Sequence, residues 1–148
     1  MTNKEFRDKI VEIAHVWVEL KVPYSHRGAN RKGCDCSGLL VGILQEMGFL
    51  HGYTLPVYER RWDRGKDKTI LTRNFSPYCT EINMDEIEPG DVIIFAFAGV
   101  DIHSGIFIGR NLFIHCYQDS QVKIDTIMNS SWTARISRVV RFDMEKLV

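Results

Sequence analysis

The sequence shows no excess of charge of either sign. Its 19 Lys and Arg balance 19 Asp and Glu over 148 residues, so no global field draws the chain to nucleic acid or to an anionic membrane. A local bias does exist, with six basic and three acidic residues between Glu59 and Arg73, and it reads as a solvated face. Long apolar runs are also missing. No window approaches the ~18 residues that a membrane span requires. The first twenty residues, "MTNKEFRDKIVEIAHVWVEL", are studded with charge and lack the basic-then-apolar order of a secretory signal. The expectation is a protein that is cytoplasmic as synthesised, unless a carrier exports it. Cysteine is sparse, at four residues (Cys34, Cys36, Cys79 and Cys116). A chain long enough to bury its own core has little need of a disulfide framework, so these read as thiols. Repeats and low-complexity tracts are absent, and residues 1–148 read as one domain.

What is present begins with a capping-box pattern at Thr2 and Glu5. Phe6, Ile10, Ile13, Ala14 and Trp17 then recur at helical spacing, predicting an amphipathic helix over residues 3–20. His15 falls near its packed side. Pro23 ends this pattern, and "PYSHRGANRKG" reads as a loop without periodicity. From Cys36, "CSGLLVGILQEMG" predicts a second helix, buried on most sides and closed by Gly48. Residues 51–88 are too long for a plain connection and suggest a lid or a substrate-facing insertion. Within them "YTLPVYERRW" and "KTILTRNF" could each hold a short helix. After Pro89 and Gly90, five β-rich runs follow: "DVIIFAF", "HSGIFIG", "NLFIHCY", "QVKIDTI" and "ISRVVRF". Close spacing favours antiparallel pairing. Helices first and strands after is the α+β pattern.

The chemistry concentrates in "GCDCSGLL", residues 33–40. A metal site, a redox pair and a nucleophile all fit two cysteines one residue apart. Cys36 opens the predicted helix, where the dipole favours a thiolate, and Gly38 lets another backbone or a substrate come close. Cys34 lies in the preceding loop and reads as structural. A thiol nucleophile needs an imidazole and a group to orient it. His103 and His115 lie 12 residues apart, with Gly109, Arg110 and Asn111 as the turn between two strands. Cys34, Cys36, His103 and His115 could in principle bind zinc, but Cys-x-Cys is shorter than the usual zinc-ligand spacing. No metal or cofactor is expected.

The ordered segments "PYSHRGANRKGCDCSGLL", "PGDVIIFAF", "HSGIFIG" and "FIHC" resemble the NlpC/p60 family of cell-wall cysteine peptidases over about residues 10–142. The texture is most similar to the single-domain branch found with phage tails and gene transfer agents, including the "GCDC" segment and "LPVYERRW". The resemblance implies a papain-like α+β fold, with N-terminal helices on a mostly antiparallel sheet of about five to six strands. It implies hydrolysis of peptidoglycan stem peptides, usually between γ-D-glutamate and the diamino acid. Carried onto this chain, Cys36 is the nucleophile, His103 the general base and then acid, and His115 the orienting member. Tyr24 and the backbone N–H of Cys36 would serve the oxyanion. Asp35 and Ser37 match positions that help hold the substrate's free amino end. A phage tail or related particle is the implied carrier.

The chain departs from that pattern at Ser104, which replaces a branched apolar residue beside the catalytic histidine and is expected on the substrate side. Cys116 replaces a small residue, and a ten-residue loop follows Tyr24 in place of a tight glycine pair. Tyr58 and Trp62, four apart, could wall the substrate, although such pairs more often pack in a core. Trp17 and Trp132 read as core, and His26 and His51 as solvated loop histidines near the cleft. Two other functions stay open: an acyl or amide transferase on the same thiol scaffold, and a non-catalytic component of a tail or secretion apparatus.

Overall fold

Thr2 caps the first helix, its hydroxyl accepting the Glu5 N–H at 3.1 Å, and α1 runs Asn3–Glu19. These positions come from a computed structural model that describes residues 1–53 and 75–147. Phe6, Ile10, Ile13, Ala14 and Trp17 are buried along one stripe, as the 3.6-residue period demands. His15 is exposed on the outer side of that helix, a correction to its expected packed position. One residue makes the difference: Ala14 and Trp17 define the stripe, and 15 turns away from both.

The loop after Pro23 holds a two-residue hairpin that the sequence reading missed. Strand β1 (Ala29–Asn30) pairs antiparallel with β2 (Gly33–Cys34), and Tyr24 bridges Cys34. Such short strands leave no periodicity to detect. Helix α2 (Cys36–Glu46) follows at once, buried from Cys36 through Leu44, and Gly48 takes φ +91° just beyond its C-cap at Met47. Trp17 on α1 donates to Glu46 of α2 at 2.8 Å, and Arg31 grips the same carboxylate. This polar clasp locks the two helices and the hairpin together.

The remaining chain builds one antiparallel sheet of six strands among the described residues. These are β3 (Cys79–Ile82), β4 (Val92–Phe97), β5 (Val100–Gly109), β6 (Leu112–Cys116), β7 (Val122–Thr126) and β8 (Ile136–Phe142), in the order β3-β8-β4-β5-β6-β7. The last five answer to the five predicted runs. Strand β5 starts three residues earlier than "HSGIFIG" because Ala98 and Gly99, both at positive φ, turn the chain tightly out of β4. Strand β3 lies inside the segment that carried no clear pattern. The proposed helices at 53–62 and 68–75, with Tyr58 and Trp62, fall almost wholly outside the described residues.

Strand alternation divides the apolar residues between two cores. Val92, Ile94, Ile106, Ile114 and Val140 face α1 and α2. Ile93, Phe95, Phe107 and Phe113 form a second cluster on the other face with Ile127, covered in part by Trp132 from α3 (Ser130–Thr133).

Candidate active site

Asp35 starts helix α2 as its N-cap, and its carboxylate accepts the backbone N–H of Gly38 at 2.7 Å and of Arg27 at 2.8 Å. It therefore fastens the loop to the helix, a structural task for a residue expected at the substrate. Cys36 is the first residue of the helix and is 7% exposed. Its N–H has no intrahelical carbonyl to bond. The close approach anticipated at Gly38 is made by backbone: a Cβ there would lie 1.6 Å from the Gly28 carbonyl oxygen.

The Cys36 thiol donates to the carbonyl of Ile102 at 3.8 Å, so the sulfur sits at the backbone of the residue before His103. Ser104, one residue further on, donates its hydroxyl to the Cys36 carbonyl at 3.4 Å. Ser37 and Ser104 are both fully buried. Both were expected on the substrate side, and in the structure they are enclosed next to the thiol, Ser104 against the Cys36 carbonyl. The reason is alternation: Ser104 shares the α2-facing side of β5 with Ile106.

His103 points to the other side of β5, where Nε2 lies 2.7 Å from Nδ1 of His115 on β6. The chain reverses at Gly109, Arg110 and Asn111, all at positive φ. Ile106 pairs with Ile114 and Phe107 with Phe113, so the two histidines sit diagonally on one face. Gly105 lies between them. A Cβ at that position would stand 2.6 Å from the Phe113 ring and 3.3 Å from Cβ of His115.

The imidazole pair is enclosed by rings. Trp132 stacks on His103 at 5.3 Å between centroids and meets His115 edge-on at 5.0 Å, while Tyr117 and Phe95 close two further sides. Trp132, expected in the core, is half-buried over the site. Neither it nor Tyr117 carried a usable sequence signal, since both lie on short or edge segments whose packing partners are distant in the chain. On β7, Asp125 brings Oδ2 to 3.4 Å from Nε2 of His115. That separation is an ion-pair distance, and the geometry closes no hydrogen bond, so Nε2 is buried without a bonded partner.

Burial dominates the electrostatics. Desolvation, followed by the charge of Asp35, pushes the Cys36 thiol up to about 12. Hydrogen bonds from Ser104 and Ser37 oppose that rise without cancelling it. Desolvation, and secondly His115, holds His103 well below 6.5. His115 is lowered to about 4 by burial, with Asp125 opposing and Lys123 assisting. Thiol and imidazoles are all neutral near pH 7.

Among the other expected residues, Tyr24 is half-buried beside Cys34, and its N–H bonds the Ser120 carbonyl at 2.9 Å. His26 is half-buried and His51 exposed. Cys34 is fully buried, its carbonyl accepting the Cys116 thiol at 3.2 Å. No helix among the described residues is long and apolar enough to cross a membrane.

Known proteins resemble the chain in sequence and in fold. A murein DD-endopeptidase/LD-carboxypeptidase of Escherichia coli K12, MepS, is 26% identical over 141 residues, or 94% of this chain. The chain spans only 64% of that relative's length. A second protein of the same strain, named probable endopeptidase NlpC, is 27% identical over 88% of this chain and 78% of its own. Two crystal structures share the fold. A Bacillus cereus NlpC/P60 protein superposes with a TM-score of 0.69 at 21% identity, over 92% of this chain and 40% of its own. The NlpC/p60 domain of the peptidoglycan hydrolase SagA gives 0.61 at 20% identity, over 92% and 98%. The family model matches residues 21–141, and the chain belongs to the NlpC/P60 family.

Proposed function

We propose that the protein is a cysteine hydrolase of peptidoglycan stem peptides, acting through an acyl-enzyme on Cys36. The observation that carries this reading is the placement of a helix-initiating thiol against the backbone of Ile102, with His103 next in sequence and hydrogen-bonded to His115. The relative named as a murein DD-endopeptidase supports the substrate class, and the one named as a probable endopeptidase supports the reaction type.

His115 engages Nε2 of His103, so Nδ1 is the nitrogen this reading assigns to the thiol. Because both partners are neutral at rest, the proton moves only as the reaction begins. Nδ1 takes it while Sγ attacks the scissile carbonyl carbon. The resulting oxyanion accepts from the Cys36 N–H and from Tyr24. His103 then returns the proton to the departing amine, and a thioester remains. Water attacks the thioester, gives one proton to His103, and the carboxylic product leaves as Cys36 recovers its proton. A dry site bordered by Trp132 and Phe95 favours this order, since it strengthens the hydrogen bonds that the transition state uses.

The bond we assign is that between the γ-carboxyl of D-glutamate and the diamino acid. This assignment, membership of the phage-tail branch and delivery to the wall by such a particle all rest on the sequence resemblance. Digestion of purified muropeptides, read by mass spectrometry, tests the reading. Wild type is expected to release an alanyl-γ-glutamyl fragment, and Cys36→Ala to release none. Equal release by both proteins would remove Cys36 from the mechanism.

A further inference from the structure

The two-histidine pair is ambiguous on its own, because the single proton between His103 Nε2 and His115 Nδ1 can belong to either nitrogen. The choice decides the chemistry. If His115 Nδ1 carries the proton, His103 accepts it at Nε2 and must hold its own proton on Nδ1, and so presents no lone pair to the thiol. If His103 Nε2 carries it, Nδ1 is free to act as base.

The neighbouring strand breaks this symmetry. Asp125 on β7 holds Oδ1 against the Thr126 N–H at 3.0 Å, which leaves Oδ2 directed at His115 Nε2, 3.4 Å away. That nitrogen is buried and has no hydrogen-bond partner. A lone pair there would lie 3.4 Å from a carboxylate oxygen, whereas an N–H would set positive charge beside it. With the His115 proton on Nε2, Nδ1 can only accept, and the shared proton must sit on His103 Nε2. Lys123, across from His115 in register, is exposed and offers no acceptor.

We propose that Asp125 is a positioning residue that selects the reactive tautomer of His103 through His115, making a carboxylate–imidazole–imidazole relay behind the thiol. The inference rests on the catalytic reading above and extends it by one residue. Asp125 acts without touching substrate. Its half-buried place on edge strand β7 makes its substitution compatible with folding.

The test compares wild type, Asp125→Ala and Asp125→Asn of the full chain, by muropeptide kinetics and by ¹⁵N NMR of the imidazoles at pH 7. Wild type is expected to show His103 and His115 both protonated at Nε2. Asp125→Ala is expected to mix the tautomers and lower kcat about 10- to 100-fold at unchanged KM, the scale of loss when the carboxylate that orients a metal-ligating imidazole is removed. If Asp125→Ala does not fold, Asp125→Asn is read in its place and must also lose kcat at unchanged KM. A His115 proton on Nδ1 in wild type overturns the proposal, as does a folded Asp125→Ala with unaltered tautomers and kcat. Failure of the parent reading has a different signature, namely Cys36→Ala cleaving as fast as wild type.

Discussion

At the scale of single residues, environment outweighs identity. Cys36 has the helix position that usually favours a thiolate, yet its thiol is raised to about 12 because burial and the Asp35 carboxylate both oppose a second negative charge. Alkylation of the free enzyme by a thiol reagent at pH 7 is therefore expected to be slower at Cys36 than at an unperturbed cysteine. The rate should still be rising at pH 10. Fast labelling that is level across pH 6–9 would mean that a thiolate–imidazolium pair is the resting state. The histidines make a matching prediction for stability. His103 and His115 are held below 6.5 in the folded protein, with His115 at about 4. Between pH ~6.5 and ~4 the unfolded chain then binds more protons than the folded one. Their contribution is complete above ~6.5 and is lost as pH falls through the folded values, by roughly 1.4 kcal/mol per pH unit for each histidine. Tm should drop steadily from pH 7 to 4.5, and a flat profile would contradict buried neutral imidazoles. Activity should survive well below pH 6.5 wherever the fold does, since His103 stays unprotonated there.

At the scale of elements, close contacts decide what the site tolerates. The first turn of α2 presses on the hairpin loop so tightly that a methyl at Gly38 would overlap the Gly28 carbonyl. Gly38→Ala is expected to cost at least about 1–3 kcal/mol through overpacking, seen as a lower denaturant midpoint. It should also disturb the Cys36 N–H that serves the oxyanion. A variant as stable as wild type would show that the loop moves freely. Strand periodicity explains the rest of the local geometry. Residues 103, 105 and 107 share one face of β5 while 104 and 106 share the other, which places the histidines among aromatic rings and Ser104 beneath α2. The β5–β6 turn was legible from Gly109-Arg110-Asn111, but its register was not. The same turn residues accept more than one pairing, and the bulge between Phe107 and Gly109 belongs to the sheet as a whole.

At the scale of the whole molecule, a polar clasp ties the chain ahead of β4 to the neighbouring strand β8 and to α1. Asp91 is fully buried and meets Arg141 of β8 at 2.8 Å through both oxygens, while Glu88 joins Arg7 of α1 at 2.7 Å. Arg141→Ala would leave the Asp91 carboxylate buried without its counter-charge. A loss of about 3–5 kcal/mol is expected in chemical denaturation. Were the loss under ~1 kcal/mol, water would have to reach Asp91 in its place.

Local pattern in the chain was enough for both helices, the Thr2 cap of α1 and the Gly48 stop after α2. It was enough too for five of the six described sheet strands and for the residue types of the reacting set, but not for the Asp35 cap of α2. Each of these depends on patterns within a few neighbouring residues, where backbone period and side-chain type suffice. It took the packed chain to bury the Cys36 thiol beside Asp35, to set Ser37 and Ser104 beneath the surface, to lay Trp132 over the histidines and to bring Asp125 behind them. Those outcomes depend on which side chains from distant strands exclude water and on which face each one meets. Desolvation and through-space charge arise only when the sheet has closed against the helices, so no local pattern in the chain could record them.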